Sequence, residues 1–246
     1  MTMVDLQPSG LLSFIRYAFM PNHLGYCGGT HHEVLLEHAA AGQPDRRLAP
    51  LLAKFTGALP YLQTIAAAHH LADPFDHRVV EAYWLGNDLL DGVEAAALHR
   101  SLDERFGRQL TGATRDQVLS KPPQGARPYH LFHVLDVYRH LGHEGIALAT
   151  MENCRISWGR VRAVEGAELV VRRQPLVLDG TDLALGEPAD TRVLRSISDR
   201  GFADDVVVGD WVSIHWGWTC EVLDARRLRN LRRWSAHHLA LANRTI

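Results

Sequence analysis

Two histidines three residues apart, His130 and His133 in PYHLFHVLDVY, fall on one face of a predicted helix. At that spacing both imidazoles can reach a single metal ion. Such pairs are common in ordinary helices, so packed structural roles are the preferred reading and metal binding the second. A third histidine, His215, stands between aromatic residues on a predicted strand in GDWVSIHWGWTCEVLD. Strand parity sends Val212, Ile214 and Trp216 to one side and Trp211, Ser213 and His215 to the other. The apolar side then packs inward, and the imidazole is free to work with a residue elsewhere. Cys27 lies in YCGG, in a tight loop after a helix. Its thiol either lines a site or packs beside glycines that supply positive φ. Fifteen histidines, twelve of them before residue 150, suggest metal or proton chemistry, although solvated helix surfaces give the same count. No Gly-rich phosphate loop, nucleophile elbow or HExxH is present.

The elements that must position these residues change character near residue 150. Before it, apolar residues recur at helical spacing. A first helix over Leu11–Phe19 should stop at Pro21, and YHLFHVLDVYRHLG reads as a strongly amphipathic helix. Beyond it the period becomes two, in RISWGRVRAV, AELVVRRQPLVL, TRVLRSI and DWVSIHWGW, with Gly, Asp and Pro between. The end of the chain returns to helix, with Leu228, Leu231 and Trp234 spaced three apart among arginines. The fold class is therefore α+β. Residues 1–150 form an all-α domain, and residues 151–246 form a small OB-like β-barrel with a C-terminal helix. The arginine run on that helix reads as a solvated face, with a docking surface for an acidic partner as the alternative.

The order NCRISWGRV, a β region, then VVVGDWVSIHWGWTCEVLD and a terminal helix resembles the HypC/HupF family, chaperones of nickel–iron hydrogenase maturation. Cys154 and Gly159 match that family's first motif in spacing. Gly209, Asp210, Val212, His215, Gly217, Leu223 and Asp224 match its second. The likeness covers roughly residues 152–240. Trp158 stands where the family has proline, Trp218-Thr219 where it has Phe-Ala, and Cys154 lies far from the chain start. RYAFMPNHLGYCGG, AYWLGN and PYHLFHVLDVY, with NCRISWGRV, are also similar to an uncharacterised two-part family associated with nickel–iron hydrogenase gene clusters.

The resemblance implies a compact barrel that handles iron, as a fragment bearing cyanide and carbonyl ligands and transiently bound. It implies Cys154 and His215 as the residues that hold it. A thiolate and an imidazole suit such an iron, and a carrier that must release its cargo needs few ligands. Cys154 would gain from a cation nearby, Arg155 or Arg160. His215 would face Cys154 across the barrel surface, outside the core, with Trp211 and Trp218 as a dry wall. Cys220 reads as core. Trp158, Gly159, Trp216, Gly217 and Trp218 are the expected partner-binding positions. The expected partner is the hydrogenase large subunit or a maturation scaffold protein.

Composition bounds these readings. Apolar residues make up 46% and charged residues 22%, as in globular proteins. A formal charge of −2 argues against nucleic acid as partner. The N-terminal stretch has no basic leader pattern, and no run is apolar enough to cross a membrane. Three scattered cysteines favour a reducing compartment, so the expected location is cytoplasmic. A maturation chaperone needs no catalysis. The alternatives are a metal-dependent enzyme centred on the histidine-rich helical domain, with Cys27, and a pure interaction module.

Overall fold

Helical periodicity governs the chain as far as Cys154. In the computed structural model, which describes residues 9–43, 45–141 and 147–245, it forms α1 (Gly10–His23), α2 (His32–Ala40), α3 (Ala49–Leu52), α4 (Leu59–Ala68) and α5 (His77–Trp84). These are followed by α6 (Ala95–Phe106), α7 (Gly112–Ser120), α8 (His130–Phe132) and α9 (Leu148–Cys154). The N-terminal segment in which no leader is read lies outside the described residues over residues 1–8. Side-chain caps fix several starts: Ser9 accepts from Leu12 N at α1, and Asp76 from Arg78 N at α5. Asn87 accepts from Leu89 N in a tight turn after α5, the helix-end role its position suggests.

Two helical expectations are corrected. Pro21 does not stop α1, which runs through it to His23. A proline costs the helix the bond to the carbonyl four residues back, here Tyr17. That carbonyl has another donor, described below. The segment 130–140 is not one regular amphipathic helix. After α8 it widens into a π-type turn over His133–Val137 and tightens again over Tyr138–His140. The wide turn buries Asp136, whose carboxylate meets Lys121 Nζ at 2.9 Å.

Beyond α9 the strands are β1 (Ser157–Glu165), β2 (Glu168–Arg173), β3 (Leu176–Asp179), β4 (Asp182–Leu185) and β5 (Ala189–Leu194). Then come β6 (Ser196–Ile197), β7 (Arg200–Gly201), β8 (Trp211–His215), β9 (Trp218–Val222) and the long α10 (Ala225–Ala242). Five strands close in the order β1-β2-β5-β9-β8, and β3–β4 and β6–β7 are small hairpins outside the ring. All ring pairs are antiparallel except β5–β9, which touch in parallel at Leu194 and Trp218. That is a five-stranded Greek-key arrangement of the OB type. The chain is thus α+β, helices first, then the sheet and a terminal helix.

The barrel has a small core of its own: Val161, Leu169, Val171, Val193, Val212 and Ile214, with Ala203 and Val206. The larger core is shared. It runs from Phe14 and Tyr83 through Trp218 and Cys220 to Leu231 and Trp234 on α10. Helix α10 reaches back to the helical part, where Arg226 and Arg227 bind Glu81 and Arg233 binds Asp91. Helical structure continues past residue 150 to Cys154, so the barrel begins a few residues later than read from the sequence. No helix among the described residues is long and apolar enough to cross a membrane.

Candidate metal centre

Three segments deliver three side chains to one point. Helix α8 brings His130, the last residue of α9 is Cys154, and the last residue of β8 is His215. One ligand atom from each lies within 4.8 Å of the others. The Cys154 Sγ is 4.0 Å from His130 Nε2, and the imidazole rings of His130 and His215 meet edge to face at 5.2 Å. Trp84 covers both rings, at 4.6 Å from His130 and 5.7 Å from His215.

The expected pair of Cys154 and His215 is therefore brought together, but in a different place. His215 is only 2% exposed. It belongs to the core between barrel and helices, because α1 covers the strand face that parity marks as polar. Tyr17 of α1 takes Ser213 and Glu221 as hydrogen-bond partners on that face. Parity also fails at Trp216. Strand β8 ends at His215, and Trp216-Gly217 form a two-residue turn with φ of 53° and 69°. A tryptophan in the left-handed region is strained by about 1–3 kcal/mol. It is held there by its backbone N–H, which donates to Asn153 O at 2.8 Å, and by stacking on Tyr26 at 4.0 Å.

The tautomers can be read from the partners. His215 Nδ1 lies 2.7 Å from Tyr17 O, and only an N–H can meet a carbonyl, so Nε2 carries the lone pair. That Nε2 is buried and lacks a hydrogen-bond partner, although the Cys154 carbonyl is near enough to favour the protonated ring slightly. His130 Nε2 donates to Cys154 O at 2.7 Å, and its Nδ1 accepts from the Tyr83 hydroxyl at 3.1 Å. Tyr83 can donate or accept. If it turns to accept from Nδ1–H, the His130 Nε2 lone pair is freed for a metal at the expense of the bond to Cys154 O. Burial holds both rings neutral: His215 is pushed down to about 4, and His130 well below its usual value, helped by His215. Neutral imidazoles are the form that binds metal.

The thiol is the opposite case. Burial, with Cys27 adding to it, pushes Cys154 up to about 12. The expected help from arginine is absent. Arg155 is tied to Glu152 and to Gln174 O, and Arg160 to Gly209 O. A metal ion must therefore displace the Cys154 proton itself. The donor set of one thiolate and two imidazoles, with an orphaned buried nitrogen among them, fits a transition metal of the iron–copper–zinc group.

The cluster opens into a cavity of about 610 Å³, lined also by Cys27, Phe55, Arg105, His133 and Tyr138. Cys27 thus lies on the wall of the same cavity as the cluster. Asn22 donates to Cys27 O and Gly29 O and so fixes its loop. The residue is exposed, yet desolvation against the cavity pushes its thiol up to about 12. His133 faces the same cavity but bonds Tyr61 and does not join the cluster. The two rings take different partners, Tyr61 for His133 and Tyr83 for His130. Sequence spacing pairs His130 with His133, whereas the fold pairs His130 with Cys154 and His215, a grouping that only tertiary packing creates.

The five expected partner-binding positions divide. Trp216 lines the cavity, and Gly217 makes the turn beside it. Trp218 is fully buried between Phe19 and Phe202 and is not available to a partner, nor is it a wall of the site. Trp211 is on the barrel's outer side under Arg232, away from the cluster. Gly159 is packed inside the sheet, where a Cβ would come within 3.1 Å of Val171. Trp158 is half-buried on the barrel's outer face. Cys220 is core, as read from the sequence.

Comparison with curated proteins gave no match, and neither did comparison with solved structures. One family profile matches residues 6–246, helical part and barrel together. The chain belongs to that family, a family of unknown function designated DUF6390.

Proposed function

We propose that the protein is a metal-handling accessory factor that binds iron through Cys154, His130 and His215. In this reading it serves as a maturation chaperone for a nickel–iron hydrogenase in the cytoplasm. The observation that carries it is the convergence of the three side chains at the wall of one apolar cavity. Three protein ligands leave coordination positions open, and the cavity has room for small exogenous ligands on the iron, such as cyanide and carbon monoxide. The motif resemblance supports the same cargo. A buried thiol that gives up its proton only to metal suits reversible loading.

The test is infrared spectroscopy with iron analysis on protein purified without oxygen from cells expressing hydrogenase maturation genes. Cyanide and carbonyl bands with stoichiometric iron, both lost in Cys154→Ala, are expected. Iron-free protein without bands would overturn the iron reading. A second reading is a metal-dependent enzyme, favoured by the volume of the cavity and by Arg105 and His133 on its wall. Metal that survives Cys154→Ala but not His130→Ala with His133→Ala would favour it.

A further inference from the structure

On the outer face of the barrel, β1, β2, β8 and α10 frame a second concavity of about 290 Å³. Its walls carry Arg160, Arg162, Arg172, Arg173 and Arg232, with Trp158 and Trp211 among them. Register explains the density of charge. Arg160 of β1 pairs directly with Arg172 of β2 on one side and with Trp211 of β8 on the other. Like charges directly opposite each other destabilise a sheet, so the row Trp211–Arg160–Arg172 works against the fold.

Little on the protein neutralises it. Asp190 meets Arg172 at 3.4 Å with both side chains half exposed, a contact worth little. Arg173 is engaged by Glu152 and Ser157. Arg160 meets only the Gly209 carbonyl among the described contacts, and Arg232 lies over the Trp211 ring at 4.6 Å. By contrast, the other outward arginine on this sheet, Arg192 of β5, is held by Glu165 and Glu168.

We propose that this groove is a docking site for an acidic segment of a partner protein, bound in extended form along β1. Guanidinium forks match carboxylates in pairs. Side chains on one face of an extended peptide recur every two residues, roughly 6.5–7 Å apart, as do those along a strand. Trp158 supplies apolar surface at the groove. The Trp211 face is covered by Arg232, which does not suit the open stacking platforms that single-stranded nucleic acid uses. The groove shares no lining residue with the metal-site cavity and is independent of the metal reading.

The test is fluorescence anisotropy of the full chain with a labelled peptide of alternating Glu and Ser. The controls are the same peptide with Lys for Glu, and a labelled oligothymidylate of equal charge. Binding of the acidic peptide that weakens about tenfold or more in Arg160→Ala/Arg232→Ala, but not in Arg192→Ala, is the expected result. Circular dichroism and unfolding midpoints matching the parent show that the variants fold. Equal weakening in Arg192→Ala would make the attraction non-specific and overturn the site. Tighter binding of the oligothymidylate would overturn it in favour of nucleic acid. No binding of the acidic peptide to the parent chain at low salt would overturn it outright.

Discussion

His215 Nδ1 donates to the carbonyl of Tyr17, a residue 198 positions earlier, at 2.7 Å. That carbonyl is the one Pro21 leaves without its helical donor, because proline at the fourth position onward has no N–H. The kink-prone proline in α1 and the histidine at the end of β8 therefore solve each other's bonding problem. The bond also fixes which His215 nitrogen faces Cys154.

Pro21→Ala restores an N–H that competes for the Tyr17 carbonyl. The fold should survive, since α1 already runs through this position. Hydrogen bonds behind a metal ligand typically contribute about 10–100-fold in affinity. Cobalt(II) titration, followed by thiolate-to-metal absorption, should show a weakening toward the lower end of that range. Unchanged affinity would mean that the Tyr17 bond does not orient the ligand.

Metal affinity should rise with pH in a defined way. The Cys154 thiol, raised to about 12, must lose a proton on binding, while His215, lowered to about 4, and His130, also lowered, are already neutral at pH 7. One proton is released per metal, so affinity should increase about tenfold per pH unit between roughly 6 and 9. A slope near two would bring in a second group, with Cys27 the nearest thiol. A flat profile would exclude Cys154 as a ligand.

Acid should unfold the protein steeply. His133 and His238 are held down to about 3 and His215 to about 4 by burial, and His130 is lowered too. The unfolded chain, with imidazoles near their ordinary 6.5, takes up protons that the folded state refuses. The stability from neutral burial is therefore complete above about pH 7 and is lost as pH falls from 6.5 toward 4. Each histidine contributes up to about 1.4 kcal/mol per pH unit. Urea unfolding at pH 7 and pH 5 reads this as a large drop in midpoint. Equal midpoints would mean that these rings protonate without unfolding.

Lys121 and Asp136 form a buried ion pair, with Lys121 also donating to Leu241 O at the end of α10. Lys121→Met leaves a carboxylate buried without its cation and should cost about 3–5 kcal/mol in thermal or denaturant unfolding. Adding Asp136→Leu should recover much of that loss. A single variant within about 1 kcal/mol of the parent would show that water reaches the carboxylate.

The fold class was legible because periodicity changes from helical to alternating within a few residues, and the pairing of Cys154 with His215 was legible through motif order. What eluded the sequence was burial. Alternation marks Ser213 and His215 as the polar face of β8, and nothing local reveals that Tyr17 will cover that face. His130 was visible but joined to the wrong neighbour. The π-type turn that begins at His133 leaves no residue signature, since its composition, HVLDV, is ordinary helix. Pro21 carried more information than a helix stop, but its freed carbonyl acquires meaning only once the barrel is in place.

Because His130, Cys154 and His215 come from α8, from the end of α9 and from β8, no single piece of the chain could hold an ion between them. The centre exists only where helical part and barrel meet. Loading it would act as a rivet, and the free energy of coordination would be felt as cohesion between the two parts. A partner that pried the barrel from the helices would thereby eject the metal, so that delivery and disassembly of the interface would be one event.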